Sequence, residues 1–230
     1  SNIGLRGRSS RSWFEAYGEN FSRTDQYMFL RGGMYDVFKA GAYLNDIPHT
    51  FSSNAYTPYS GSGGNLLLAT FPLAAVPAPG VYPPPGWNGF TLGNDRRDWG
   101  GFAEWQRNSP FYFRVDGNEV SFSGTKLGSA ASGTSPGNGY VDLAFPTDYK
   151  TTNWGVEGGY QAKNATFSMR WDYSKFDNAN TTLQWTNPYF GKNQLDTTYL
   201  PPNNEFNKFT LTGNYRDLPW KSVLSARYTW

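Results

Sequence analysis

The stretch 153–175 changes character at every second residue, on both sides of a polar break at 162–165. A period of two predicts β-strands, because successive side chains leave opposite faces of a pleated strand. Two such runs joined by a short break predict an antiparallel hairpin. One of its faces carries the large apolar side chains Trp154, Val156, Tyr160, Phe167, Met169, Trp171 and Tyr173.

The alternation alone leaves two architectures open. In a soluble sandwich the apolar face packs into the core, whereas in a membrane barrel it meets lipid and the polar face lines the lumen. Each run in 153–175 approaches the roughly 9–11 tilted residues that cross a bilayer. Strands of soluble proteins usually have about 5–6 residues. The length of the runs therefore favours an all-β, antiparallel transmembrane barrel of the outer membrane.

The composition supports the barrel and keeps one alternative open. Hydrophobic residues make up only 38% of the chain, yet aromatic residues make up 18%. Many rings among few aliphatic residues fit the two aromatic girdles of an outer-membrane barrel. A secreted all-β carbohydrate-binding domain, which also exposes aromatic rings, remains the alternative. The net charge of +2 gives no argument for a nucleic-acid partner.

Residues that could bind a metal, hold a cofactor or catalyse a reaction are scarce. The chain has no cysteine, which excludes thiolate metal sites and covalent haem attachment on this chain. His49 is the only histidine. It could in principle be an axial haem ligand, but beside Pro48 at a strand end it is interpreted as a structural or loop residue. We therefore predict no catalytic, cofactor-binding or metal-binding residue, and no enzyme.

Prolines and a Gly/Ser-rich segment interrupt the strand pattern from residue 48 to residue 108. A structureless span of this length is uncommon in a compact domain and usually has a function of its own. Outer-membrane barrels have long extracellular loops and short periplasmic turns. We predict that residues 1–230 form part of a single outer-membrane barrel and that 48–108 is one long loop of it, either extracellular or folded into the lumen.

The last two hairpins predict which connections share an end of the barrel. The short breaks at 163–164 and 217–220 should lie together at the periplasmic end, and the polar, proline-bearing segment 187–204 at the opposite end.

The same alternation predicts the direction of each side chain. One set is predicted to face lipid: Phe167, Met169, Trp171, Leu211, Tyr215, Leu224 and Tyr228. The other set is predicted to face the lumen and whatever occupies it: Glu157, Arg170, Asp172, Lys208, Thr210 and Arg227. Charges of both signs in the second set suit a protein in the lumen as well as a water-filled channel.

A series of short runs also occurs in order along most of the chain. They are Asp25-Gln26, Asn45-Asp46-Ile47-Pro48-His49, Ser109-Pro110-Phe111, Tyr140-Val141-Asp142-Leu143, Val156-Glu157-Gly158-Gly159-Tyr160, Gln184-Trp185-Thr186-Asn187-Pro188, Asp196-Thr197-Thr198-Tyr199 and Leu218-Pro219-Trp220. Together these runs resemble the N-terminal part of the decahaem-associated outer-membrane β-barrels of the MtrB/PioB family. Some members carry an N-terminal cysteine pair that this sequence lacks.

The resemblance implies a function, a location and partners. In that family the barrel is a sheath in the bacterial outer membrane. It holds a periplasmic multihaem c-type cytochrome in its lumen, so that electrons cross the membrane, and an extracellular multihaem cytochrome is a further candidate partner. Haem is thus expected on the partner and not on this chain. Family members are considerably longer, which implies that these residues form a portion of a larger barrel. A general diffusion porin without a lumenal protein stays open as the alternative.

Overall fold

The computed structural model describes residues 1–69, 83, 85–107, 109–131, 140–187 and 194–230, which form strands joined by turns and one short 3₁₀ turn at Pro219–Lys221. No helix in these ranges is long and apolar enough to cross a membrane. The strands are β1 (Asn2–Arg8), β2 (Ser12–Glu19), β3 (Tyr27–Met34), β4 (Phe38–Thr57), β5 (Leu66–Leu67), β6 (Asn88–Trp105), β7 (Phe111–Ala131), β8 (Tyr140–Gln161), β9 (Ala165–Asn178), β10 (Thr182–Thr186), β11 (Leu195–Tyr199), β12 (Asn204–Leu218) and β13 (Ser222–Thr229).

Ten of these strands form one sheet in the order β1-β2-β3-β4-β6-β7-β8-β9-β12-β13. Every neighbouring pair is antiparallel, so the chain runs up and down without a crossover. The prediction of an all-β antiparallel fold is confirmed. The sheet is open, with β1 and β13 at its edges, which agrees with a portion of a larger barrel.

Short and long connections separate to opposite ends of the sheet. The connections at 9–11, 35–37, 106–110, 162–164 and 219–221 lie at one end, called here the short-turn end. The other end, called the long-loop end, holds the described connections 20–26, 58–69, 85–87, 179–187 and 194–203, together with the ends of β7 at Ala131 and of β8 at Tyr140. The Arg216 N–H donates to the Asn164 carbonyl at 2.7 Å, so two short turns are in contact. The sequence predicts that 163–164 and 217–220 share one end and that 187–204 lies at the opposite end. This is confirmed for the described residues, which exclude 188–193.

The predicted loop at 48–108 is wrong at both ends. Strand β4 continues to Thr57 and β6 begins at Asn88, and Pro48 lies opposite Asp95 within their pairing. Strand β3 pairs with β4 only as far as Asn45, so the missing N–H of Pro48 costs no bond to that neighbour. The middle of the predicted loop, at 70–82 and 84, lies outside the described residues.

Pro146 is accommodated in the same way. The sequence indicates that the strand starting at Tyr140 ends there, yet β8 continues to Gln161 and Pro146 lies opposite Thr125. Strand β9 pairs with β8 only as far as Tyr149, so Pro146 has one neighbouring strand. Both prolines thus mark where the sheet thins to fewer strands, not where a strand ends.

Strand β7 shows a change of phase that comes from its surroundings. The sequence suggests a bulge or hairpin after residue 117, because apolar residues move from Phe113 and Val115 to Val120 and Phe122. The pairing with β8 instead continues in one register from Phe111 to Ala131. Beyond Gly117 the face that carried Val115 carries Glu119. The strand therefore passes from an apolar zone into a polar one without kinking.

A small second sheet covers the long-loop end. Its order is β11-β10-β5, and β10 pairs parallel with β5. The hydroxyl of Tyr59 donates to the Thr186 carbonyl at 3.0 Å. This bond links the segment after β4 to the end of β10. The main buried cluster of the described chain lies here, between this sheet and the extended β7–β8 hairpin: Tyr59, Leu67, Ala130, Leu143, Leu183, Trp185 and Leu200.

Candidate functional site

The ten-stranded sheet has one apolar face and one polar face. Residues paired directly across antiparallel strands point to the same side, so the register fixes which side chains share a face. Leu211 pairs with Met169 and Tyr228, and Tyr215 pairs with Leu224. All seven residues predicted to face lipid fall on this apolar face: Phe167, Met169, Trp171, Leu211, Tyr215, Leu224 and Tyr228.

Aromatic rings border the apolar face at two levels. Toward the short-turn end they are Phe38, Trp105, Phe111, Tyr160, Phe167 and Tyr215, and toward the long-loop end Trp99, Trp154 and Tyr173. At and beyond the second level the same face carries charges: Glu119 lies opposite Trp99 and forms an ion pair with Lys150 at 3.0 Å. An exposed apolar band between two girdles of rings is the surface that outer-membrane barrels present to lipid.

The opposite, polar face carries all six residues predicted to face the lumen. Glu157 pairs with Arg170, and Arg170 pairs with Thr210 on the next strand. Asp172 lies opposite Lys208. The sixth residue, Arg227, lies opposite Thr212 on the same face. The structure therefore brings the predicted set together on one side of strands β8, β9, β12 and β13.

Arg170 is the centre of this face. Its two terminal nitrogens contact Asp116, with Nη2–Oδ2 at 2.9 Å and Nη1–Oδ1 at 3.0 Å. Its Nε donates to Asp172 Oδ1 at 2.7 Å, and its Nη1 reaches Glu157 Oε2 at 3.5 Å. Lys208 Nζ lies 3.3 Å from the other oxygen of Asp172. One guanidinium thus joins carboxylates from three strands.

The ion pairs continue across the sheet as a row. Glu104 contacts Lys39 at 3.0 Å and Arg114 at 3.7 Å, and Arg114 contacts Asp116 at 3.1 Å. We call this row the ion-pair belt; it contains Lys39, Glu104, Arg114, Asp116, Glu157, Arg170, Asp172 and Lys208. A separate group joins Glu15 to Arg6 at 2.9 Å and to Arg31 at 2.6 Å. Most charges of the polar face are therefore neutralised within the wall.

Sequence reasoning missed Asp116, the main partner of Arg170. The signal was present, because Tyr112, Arg114, Asp116 and Asn118 alternate with Phe111, Phe113 and Val115. The apparent change of phase after residue 117 hid it. Tyr112 also belongs to this face, and its hydroxyl donates to Glu157 Oε1 at 2.5 Å.

Two predicted residues have no charged partner among the described residues. Thr210 is buried, and its hydroxyl has no hydrogen-bond partner in the structure. Arg227 forms no ion pair with any described residue, although it shares the face of the belt. Beside the belt lies a groove of about 510 Å³, lined among others by Tyr43, Phe102, Asn153 and Phe206. The polar face thus combines a neutralised row with open space next to it.

Gly155 makes the centre of the belt possible. It lies on β8, between Asp116 on β7 and Asp172 on β9. A Cβ at this position would overlap the guanidinium of Arg170 and lie 2.8 Å from Asp116 Oδ2. The absence of a side chain lets Arg170 cross a whole strand to reach Asp116.

Gly155→Ala is therefore expected to lower the free energy of unfolding by about 1–3 kcal/mol, since charge-assisted hydrogen bonds to Asp116 must lengthen or break. Urea unfolding in lipid vesicles, followed by tryptophan fluorescence, measures the change. Gly158→Ala is the matched control on the same strand, because a Cβ at Gly158 meets nothing within 4 Å. Equal stability of the two variants would show that the crossing of Arg170 contributes nothing.

A further polar cluster lies on the other side of the sheet, beyond the apolar band. Asp46 is only 8% exposed and accepts hydrogen bonds from Arg97 Nε at 2.7 Å and Gln26 Nε2 at 2.8 Å. The guanidinium of Arg97, followed by Gln26, holds the pKa of the Asp46 carboxyl below its usual value against the effect of burial. This cluster fixes the 20–26 connection to β4 and β6.

His49 lies within β4 and not at a strand end, with its ring centre 4.2 Å from that of Phe51. Across the described ranges, no three His, Cys, Asp or Glu side chains come together as a metal site.

Comparison with known proteins agrees with this architecture. The sequence model of the outer membrane beta-barrel porin family MtrB/PioB matches residues 1–230, the whole chain. The match confirms the resemblance drawn from the sequence. No curated protein matches the chain.

Proposed function

The chain belongs to the MtrB/PioB family of outer-membrane β-barrel porins, and from this premise we propose that it is the wall of a sheath that holds a multihaem c-type cytochrome for electron transfer across the outer membrane. The observation that carries the proposal is the family match over the whole chain, combined with a sheet whose two faces differ in polarity. The barrel itself transfers no electrons in this account. It positions a partner that does.

The direction of the two faces follows from the membrane. A charged side chain at the middle of the lipid phase is costly, by about 2–4 kcal/mol for arginine or lysine in a barrel. The ion-pair belt therefore faces the lumen and the apolar band faces lipid. On this basis Glu157, Arg170, Asp172, Lys208, Thr210 and Arg227 line the lumen and lie toward the partner.

A wall of mutually paired charges suits contact with a folded protein. Ion pairs of the belt link β4 to β6, β6 to β7, β7 to β9 and β9 to β12, so the wall is held together without a partner. Its carboxylate and hydroxyl oxygens retain lone pairs for hydrogen bonds to a protein surface. The partner would carry the haem, since this chain has no cysteine for its covalent attachment. The wall would separate the haems from lipid.

The two ends of the sheet would face different compartments. Short turns of outer-membrane barrels are periplasmic and long loops extracellular. The cytochrome would enter from the short-turn end. The described part of the connection between β4 and β6, together with the small second sheet, would lie outside the cell, where an extracellular multihaem cytochrome could bind.

Co-purification tests this function. The protein, extracted in detergent from outer membranes, is expected to carry c-type haem absorbance and to co-migrate with a haem-staining protein. The control is the same extraction applied to outer membranes of cells that lack the barrel gene. A haem-free preparation that admits sugars freely into liposomes would contradict the sheath and favour a general diffusion porin, for which the groove beside the belt would provide the water-filled space.

A further inference from the structure

Basic side chains without a partner are concentrated at the short-turn end. Within the described chain, the ion pairs use the lysines and arginines of the belt, of the Glu15 group and of the long-loop end. Lys126 and Arg227 are also in no ion pair with described residues, and the six other unpaired residues lie in or beside the short turns, all exposed. We call them the basic rim: Arg8, Arg11, Arg107, Lys163, Arg216 and Lys221.

Acidic residues have the opposite distribution. Among the described residues at the short-turn end the only carboxylates outside ion pairs are Asp36 and Asp217, so unpaired base exceeds unpaired acid by six to two. Among the described residues at the long-loop end, acidic side chains outnumber basic ones, and Asp95, Asp142 and Asp148 form no ion pair with described residues. The sheet is therefore positive at the end with short turns and negative at the end with long loops.

The position of the rim distinguishes a protein partner from lipid. Arg8 lies opposite Trp13 on the polar face, and Arg11, Arg107, Lys163 and Lys221 lie in the turns themselves. At the same level the apolar face carries rings such as Phe38, Trp105 and Tyr160. Anionic lipid headgroups would be met by basic residues on the apolar face. At the short-turn end the described strands place no basic residue on the apolar face, so the free charges lie around the mouth.

We propose that the basic rim is the docking surface for an acidic surface of the protein that occupies the lumen. This inference rests on the proposed function and specifies the chemistry of the partner: clustered carboxylates that meet the short-turn mouth. Because the rim charges are exposed, their effect should be screened over about 8–10 Å at physiological salt. Rims of like charge act mainly by raising the rate of encounter with a complementary surface.

The test removes four rim charges that lie in turns, where a substitution leaves strand pairing intact. The rim variant is Arg11→Gln, Arg107→Gln, Lys163→Gln and Lys221→Gln. The control removes the same number of charges at the long-loop end, by Arg23→Gln, Lys126→Gln, Lys150→Gln and Lys175→Gln. Complexes of each variant are purified from outer membranes and washed with increasing NaCl, and the ratio of haem to barrel is measured.

The rim variant is expected to lose its haem protein at lower salt than the wild type, with association slowed about tenfold at low salt. The control should retain the wild-type curve. Identical salt curves for the two variants would overturn the proposal and leave the sheath function intact.

A second measurement does not depend on the cytochrome. Fluorescence anisotropy of a labelled polyglutamate peptide should show tighter binding to the wild-type barrel than to the rim variant. A rim variant that binds this peptide as well as the wild type overturns the proposal. A rim variant whose only change is weaker binding to nanodiscs containing phosphatidylglycerol also overturns the proposal. Polyglutamate binding without any haem protein at any salt would instead support the rim and refute the sheath.

Discussion

Replacing Leu211 with arginine is expected to lower the free energy of unfolding of the barrel by about 2–4 kcal/mol. Leu211 lies on the apolar face near the middle of β12, between Met169 and Tyr228 on the neighbouring strands. An arginine there must place its charge in lipid or bend toward the headgroups. Urea unfolding in lipid vesicles, followed by tryptophan fluorescence, measures the loss.

Thr212→Arg is the matched control, one residue away on the polar face. Its charge would point into the lumen, and the cost should stay below about 1 kcal/mol, mostly from repulsion by Arg227 on the opposite strand. Thr210 is less suitable as a control, because its side chain is already buried. Equal losses at Leu211 and Thr212 would contradict the assignment of the two faces.

Replacing Arg170 with methionine should destabilise the wall by about 2–4 kcal/mol. The substitution leaves Asp116, Glu157 and Asp172 close together with only Arg114 and Lys208 to compensate them. Removing one partner of a fully buried pair costs about 3–5 kcal/mol, and the side chain of Arg170, 28% exposed, warrants a smaller value. Urea unfolding in lipid vesicles, at low and at high salt, measures the loss of unfolding free energy.

Arg227→Met provides the comparison for this prediction. Arg227 occupies the same face but has no ion-pair partner among the described residues, so its replacement should change stability by less than about 0.5 kcal/mol. If both substitutions cost the same, charge removal in general would explain the effect, and the belt would have no special role.

The period of two predicted most of the sheet because each crossing strand meets lipid on one side and the lumen on the other. That contrast is strongest in β9 and β12, where Trp171 and Leu211 alternate with Arg170 and Thr210. The two faces and the shared end of the short turns follow from it, whereas the family resemblance rests on the series of short runs along the chain. Where both faces of a strand are polar, as in much of β4 beyond Asp46, the period carries no signal.

The remaining errors have local physical causes. In the sequence, Pro48 and Pro146 predict that a strand ends. Each instead lies where a neighbouring strand has ended, so its missing N–H is tolerated. The small second sheet depends on pairing Leu67 with Trp185, which are far apart in the chain. No local pattern specifies such a contact. Asp116 was missed because the surroundings of β7 change halfway along the strand.

Electron transfer into sealed liposomes tests the central claim most directly. The complex purified from outer membranes is reconstituted around an enclosed redox dye, and an external reductant is added. If the barrel is a sheath around a cytochrome, the dye is reduced at a rate proportional to the haem content, while sugars of similar size remain outside. Free passage of the sugars, with dye reduction only by a reductant small enough to enter the pore, would contradict it.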